Sequence, residues 1–167
     1  FKPNIAYLII VGDINTKEAK KLVKKYFSKW EQGQVPTHTY PTPEQPASNR
    51  VAIAERKGAV QSVVNVTYPV DLKPGAPDAI KASVMNSIIG GGIFSGRLIQ
   101  NLREDKGWTY GARSNLSTDR LVGSWSARTE VRNSVTDSTV TEILKEMQLL
   151  RDNPVKVEDL ELTKSSM

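Results

Sequence analysis

The chain has 167 residues, a length typical of one domain and sufficient to bury a core without stabilising cross-links. It contains no cysteine and a single histidine, which excludes disulfides and thiolate sites and argues against a self-contained catalytic zinc site or a serine-histidine triad. The formal net charge of +5 permits an acidic partner, but the basic residues are spread out instead of forming one tract.

The first elements predicted are a strand over 5–12 and a helix over 17–30. Residues 5–12 form a short continuous apolar run that ends at a Gly-Asp turn, as a buried strand does. The helix carries lysines opposite an apolar stripe that we expect to face the core, so the lysines are typical of a solvated face more than of a nucleic-acid or membrane surface. The stripe consists of Ala19, Leu22, Val23, Tyr26, Phe27 and Trp30.

Residues 31–49 predict a proline-rich connector inside one domain that spans 1–167, although a domain boundary at this point stays open. His38 lies in this stretch and is expected to be an exposed loop residue. The sequence has no initiating methionine, and its last predicted helix after Pro154 is short. We therefore expect a fragment of a longer protein. No apolar run approaches the roughly 18 residues that a membrane span needs.

The remaining elements alternate between strands and helices. Residues 50–56 and 60–70 predict one hairpin, and 108–118 and 123–132 predict another. Helices are predicted over 77–90, from Ser95, over 134–152 and after Pro154. This order predicts an α+β fold, a two-layer sandwich in which helices cover a largely antiparallel sheet.

Residues 90–111, "GGGIFSGRLIQNLREDKGWTYG", combine a glycine run, an apolar helix, a charged cluster and an aromatic strand. Gly91 and Gly96 have the spacing of a phosphate loop, but Arg97 and Leu98 stand where a lysine and a magnesium-binding hydroxyl are required. The dinucleotide pattern fails because Ser95 replaces its third glycine. A helix end and a tight turn, with Ser95 capping the next helix, explain the glycines better.

An RNA-binding strand is the second alternative for this segment. "KGWTYGAR" begins like the basic-glycine-aromatic strand of an RNA-recognition motif. The pattern then departs, because Thr109, Tyr110 and Gly111 follow and Arg113 replaces the last aromatic residue. The order of elements differs as well.

Arg103 and Tyr110 are the candidate site residues. Arg103 is predicted at the edge of the buried helix face, while Tyr110 is predicted to share one strand face with Trp108 and Ala112. A helix end and a strand start joined by a tight turn can bring two side chains together. Such a pair suits carbonyl oxygens and oxyanions. On pattern alone, a boundary arginine and a core tyrosine remain the favoured interpretation.

The whole chain resembles the pitrilysin and insulinase type zinc metallopeptidases, the inverzincin family, and in particular the second subdomain of one of their homologous halves. "FKPNIAYLIIVGDI" with "EAKKLVKKYFSKW" is similar to the opening strand and helix of that subdomain, and "VQSVVNVTYP" to its Gln-led strand. "GGGIFSGRLIQNLREDKGWTYGA" resembles its most recognisable stretch, and "DLELTKSSM" the start of its closing helix.

The resemblance implies a non-catalytic domain that serves a zinc-bearing half in the same chain or in a partner subunit. The catalytic His-x-x-Glu-His motif of the family is absent, so no catalytic residue, metal ligand or cofactor is expected here. In the family, the non-catalytic half contributes an arginine and a tyrosine seven positions apart, which match Arg103 and Tyr110. The resemblance implies that Arg103 holds a substrate carbonyl and that Tyr110 orients the scissile bond or stabilises its tetrahedral intermediate.

Several alternatives stay open at this point. Catalytic halves end in a similarly folded subdomain, and some relatives are purely structural or assembly modules. A nucleic-acid-binding domain is the remaining alternative, although no nucleic acid is expected as a partner. The expected partners are the zinc-bearing half and a peptide substrate, and a dimer is left open. The parent protein is expected to be a zinc metalloendopeptidase, with a bacterial periplasm or cell envelope as its setting.

Overall fold

The structure, a computed structural model, describes residues 2–41, 44, 46–92 and 96–167. The chain divides into two compact units, one that ends at Tyr40 and one that begins at Pro41. This division falls inside the proline-rich connector predicted over 31–49. A single domain over 1–167 stays a prediction.

The helices and strands follow one another as α1 (Thr16–Phe27), β1 (Gln61–Val70), α2 (Ala79–Asn86), α3 (Arg97–Ile99), β2 (Ala112–Ser117), β3 (Gly123–Arg132), α4 (Thr136–Asp152) and α5 (Val157–Ser166). Two of the helices continue in π-helical geometry, α2 through Ser87–Gly91 and α3 through Gln100–Asp105. Across the described ranges, no helix combines the length and the apolar character that crossing a membrane requires.

The first unit contains α1, as predicted, but not the predicted strand. The side chain of Asn15 caps α1 by accepting a hydrogen bond from the Glu18 backbone N–H at 3.0 Å. Residues 6–10 have no regular structure, and none of the described residues 2–40 is buried. The strand over 5–12 and the core-facing role of the apolar stripe are therefore wrong for this structure. A strand needs a hydrogen-bonding partner, and a unit of this size has too few residues to build a core.

The second unit is built on an antiparallel sheet of three strands in the order β1-β3-β2. The central strand β3 pairs with β1 from Gln61↔Arg132 to Val70↔Gly123, and with β2 from Ala112↔Thr129 to Ser117↔Ser124. Alternate residues of β3 are buried, which is the period of two expected for a sheet with one covered face. The hairpin of β2 and β3 is thus confirmed.

Helices pack against the covered face of this sheet and close the core. Residues of α3 and α4 meet β1, β2 and β3 there, and Trp125 on β3 has the largest fully buried side chain among the residues that the structure describes. The core consists of Val64, Ile89, Leu98, Leu102, Ala112, Trp125, Ala127, Val131 and Ile143. The predicted α+β arrangement, in which helices cover an antiparallel sheet, is confirmed.

Residues 50–56 do not form the first strand of the predicted hairpin. They have no regular structure, and Val51 and Ile53 are almost fully exposed. The second strand of that prediction is correct, because β1 occupies Gln61–Val70. β1 pairs with β3 instead of with residues 50–56, so the strand was predicted correctly and its partner was not.

Candidate functional site

The glycine run in residues 90–92 lies where a helix approaches the sheet very closely. A Cβ atom on Gly90 would lie 2.9 Å from the Ser114 backbone nitrogen on β2, and one on Gly96 would lie 2.8 Å from the Gly90 Cα. Gly90 and Gly96 are therefore required by packing between α2, α3 and β2. Gly96 is the N-cap residue of α3, and Ser95, which was predicted to cap it, lies outside the described residues.

The charged cluster occupies the end of α3 and its π-helical continuation. Ile99 and Leu102 are buried in the core, as predicted, and Arg103 lies at the edge of that face with 37% of its side chain exposed. Gly107 ends the helix with a φ of +61°, a conformation that glycine adopts without strain. The N–H of Gly107 donates to the Arg103 carbonyl at 3.0 Å, which fixes the direction in which the chain leaves.

Tyr110 lies in the turn between this helix and β2. Strand β2 begins only at Ala112, and Tyr110 is 90% exposed. The hydroxyl of Thr109 accepts the Gly111 N–H at 3.1 Å and donates to the Gly111 carbonyl at 2.9 Å, so residues 109–111 form a local turn instead of a strand. The prediction that Tyr110 shares a strand face with Trp108 and Ala112 is wrong. The alternative of a core tyrosine is wrong as well.

The structure brings Arg103 and Tyr110 together. The Arg103 guanidinium carbon lies 5.2 Å from the centre of the Tyr110 ring, a cation–π arrangement. The Nε of Arg103 also lies 3.4 Å from a Glu104 carboxylate oxygen. Both side chains reach solvent, so guanidinium N–H groups and a phenol O–H are available side by side to oxygen atoms of a ligand.

A second group of polar side chains underlies this helix end, and the sequence reasoning missed it. Lys106 has its Nζ 5.6 Å from the centre of the Trp108 ring and 3.4 Å from a Glu142 carboxylate oxygen on α4. The buried amide of Asn101 donates to Glu142 at 2.9 Å and to Glu146 at 2.8 Å. The sequence spacing of Glu142 and Glu146, one helical turn apart on α4, would have predicted two carboxylates on the same face of that helix.

The hydrogen bond from Asn101 favours the ionised form of the Glu142 carboxyl. Together with the charges of Lys106 and Lys145, it holds the pKa of the Glu142 carboxyl below its ordinary value of 4.5, although desolvation acts in the opposite direction. The Glu142 side chain is 16% exposed. Glu142 is thus an ionised partner that ties the end of α3 to α4.

The part of the chain that the structure describes contains no group of three or more His, Cys, Asp or Glu side chains that could hold a metal ion. His38 is exposed, as predicted, with its ring 6.1 Å from that of Tyr40. A cleft of about 350 Å³ between α3, α4 and α5 is lined by Asn101 and Glu146 of this polar group and by further residues such as Arg97, Lys156 and Asp159, and does not include Arg103 or Tyr110.

Several solved structures of bacterial proteins are similar to this chain. Similar structures are the peptidase M16 inactive domain from Pseudomonas fluorescens (20% identity, TM-score 0.73), a protease from Helicobacter pylori (19%, 0.75) and the periplasmic protease PqqL from Escherichia coli (14%, 0.72). Each match covers 93% of this chain, and 37%, 38% and 17% of those chains respectively. The chain therefore spans less than two fifths of their lengths. At such low identity these likenesses show the fold alone.

The family is shown by the sequence as a whole. No curated protein matches the chain. The family model described as the peptidase M16 inactive domain matches residues 1–167, which is the entire chain. This match confirms the resemblance to the pitrilysin and insulinase type metallopeptidases. The chain therefore belongs to the peptidase M16 family, as a non-catalytic C-terminal domain of its proteins.

Proposed function

We propose that this domain binds peptide substrate and orients it for a zinc-bearing half of the peptidase, located in the same chain or in a partner subunit. The observation that carries the proposal is the exposed pair of Arg103 and Tyr110, with 5.2 Å between the guanidinium carbon and the ring centre. Zinc is supplied by the other half, and the domain contributes only side chains to the reaction.

The two side chains have complementary tasks in this proposal. The planar guanidinium of Arg103 donates hydrogen bonds to a main-chain carbonyl of the peptide and so fixes the position of the substrate. The Tyr110 ring restricts the guanidinium from one side, which reduces the freedom that Arg103 loses on binding. The Tyr110 hydroxyl donates to the scissile carbonyl oxygen and strengthens that hydrogen bond as negative charge develops.

The test compares peptide hydrolysis by the parent protein with that of Tyr110→Phe at matched zinc content. Removal of a hydroxyl that meets a developing oxyanion lowers turnover by roughly 10- to 1000-fold. The control is Tyr7→Phe, which removes the hydroxyl of another exposed tyrosine, 97% exposed in the first unit. We expect Tyr7→Phe to hydrolyse peptide at the parental rate.

Two results contradict the proposal. An unchanged rate for Tyr110→Phe would leave the domain as a structural module of the peptidase. Zinc-dependent hydrolysis by the isolated 167-residue chain would show that the domain is itself catalytic.

For Arg103→Ala, the proposal expects a raised KM, because the substrate carbonyl loses its donor in the ground state as well as in the transition state.

A further inference from the structure

Thr129 has a buried hydroxyl at a position of β3 where the core itself requires only an apolar side chain of similar volume. Every residue of β3 is described, and its buried positions are Gly123, Trp125, Ala127, Thr129 and Val131. Thr129 is 2% exposed. A valine would fill nearly the same space without burying a polar group. Because burial of the hydroxyl costs free energy through lost hydration, its hydrogen bonds within the protein must compensate for that cost.

The hydroxyl of Thr129 binds the turn that carries Tyr110. Its Oγ1 lies 2.9 Å from the Thr109 Oγ1 and 2.9 Å from the Gly111 carbonyl oxygen. The Thr109 hydroxyl closes the same turn through both polar groups of the Gly111 backbone. Residues 109 and 111, on either side of Tyr110, are thereby tied to β3 beside the pairing of Ala112 with Thr129.

Tyr110 depends on this backbone for its direction. Its side chain is 90% exposed, so core packing does not hold the ring in place. The position of the ring under the Arg103 guanidinium therefore depends on the conformation of residues 109–111 as well as on the contact with Arg103 itself.

We infer that Thr129 is a positioning residue, whose buried hydroxyl fixes the Thr109–Gly111 turn and so aims Tyr110 at Arg103 and at the substrate. The effect on turnover rests on the proposed function, but the effect on the geometry of the pair does not. The substrate need not touch Thr129 at any stage.

The first measurement is made on the 167-residue chain by NMR. The Tyr110 ring shifts the resonances of the Arg103 side-chain protons that lie over it, and Tyr110→Leu defines the spectrum without this ring. We expect Thr129→Val to move the Arg103 resonances towards those of Tyr110→Leu, and Thr129→Ser, which keeps the hydroxyl, to leave them near the parent. The control is Thr139→Val, which removes the hydroxyl of a fully buried threonine that bonds the Val135 carbonyl at 2.7 Å. It should leave the Arg103 resonances unchanged.

The second measurement is turnover of the parent protein carrying the same substitutions. Misplacement of Tyr110 should lower kcat by roughly 10- to 100-fold in Thr129→Val, with recovery in Thr129→Ser and little change in Thr139→Val. Parental Arg103 resonances in Thr129→Val would overturn the inference. Altered resonances in Thr129→Val, combined with an unchanged rate in Tyr110→Phe, would uphold the positioning role and reject the proposed function instead.

Discussion

The guanidinium carbon of Arg103 lies 5.2 Å from the centre of the Tyr110 ring, although the two residues belong to a helix end and a turn that precedes a strand. An exposed cation–π contact of this kind stabilises a protein by about 0.5 to 1 kcal/mol. We therefore expect Tyr110→Ala to lower the free energy of unfolding, measured by urea denaturation, by no more than about 1 kcal/mol. A loss of several kcal/mol would mean that Tyr110 supports the fold itself.

The close approach of α2 to β2 makes Gly90 intolerant of a side chain. A Cβ on Gly90 would meet the Ser114 backbone nitrogen at 2.9 Å and the Leu98 Cδ1 at 3.0 Å. We expect Gly90→Ala to lower the free energy of unfolding by about 1 to 3 kcal/mol, as overpacking does. Gly111→Ala is the matched control, since a Cβ there meets nothing within 4 Å. Equal stability of the two variants would refute the packing role of Gly90.

The lowered pKa of Glu142 predicts a specific dependence of stability on pH. Because the carboxyl has a lower pKa in the folded state than its ordinary value of 4.5, its contribution is fully present above that value and is lost as pH falls through the folded pKa. We expect Glu142→Gln to be less stable than the parent near pH 6, and this difference in stability to shrink as pH falls below 4.5 towards the folded-state pKa of Glu142. Thermal denaturation across this range measures the difference.

An exposed glutamate of α5 supplies the control for Glu142. Glu158→Gln removes one negative charge from an exposed residue that is not among the hydrogen-bond or ion-pair partners of Asn101 and Lys106. Subtracting its pH profile isolates the contribution of the α3–α4 connection. A constant difference between Glu142→Gln and the parent from pH 6 to pH 3, within about half a kcal/mol, would contradict the prediction.

Two arginines face each other across β2 and β3. Arg113 is the register partner of Arg128, and Arg128 has an ion pair with Glu130 at 3.6 Å. Like charges directly opposite each other destabilise a sheet, so Arg113→Glu should raise the free energy of unfolding by roughly 0.2 to 1 kcal/mol. The gain in the free energy of unfolding should shrink in high salt. The stability of Arg113→Gln should lie between that of the parent and that of Arg113→Glu. A salt-independent gain would indicate another cause.

Much of the sheet and its covering helices was readable from the sequence. Strands were predicted over 60–70 and 123–132, where the structure has β1 and β3, each with one covered and one solvated face. Strands were also predicted over 5–12, from a continuous apolar run, and over 50–56, but neither segment forms a strand in the described structure. The apolar composition of a segment indicates only that it could form a strand. Whether it does depends on a second strand to pair with, which the local sequence does not specify.

The candidate site was predicted in its residues but not in its geometry. Arg103 was correctly placed at the edge of the buried helix face because the helical period fixes its position relative to Ile99. Tyr110 was predicted to lie in the strand with Trp108 and Ala112, whereas the Gly111 N–H donates to the Thr109 hydroxyl and β2 begins only at Ala112. Local hydroxyl contacts of this kind compete with strand pairing and leave no periodic signature.

The strand order β1-β3-β2 has a consequence for how the second unit folds. The hairpin contact Ser117↔Ser124 closes a short loop, whereas Gln61↔Arg132 joins residues that lie far apart in the chain. The loop closed by Gln61↔Arg132 is roughly tenfold longer than the hairpin loop, so the loss of chain entropy makes its closure about 2 kcal/mol more costly in free energy. We therefore expect β2 and β3 to pair early and the arrival of β1 to limit the folding rate. The turn that holds Tyr110 would then be organised before the sheet is complete.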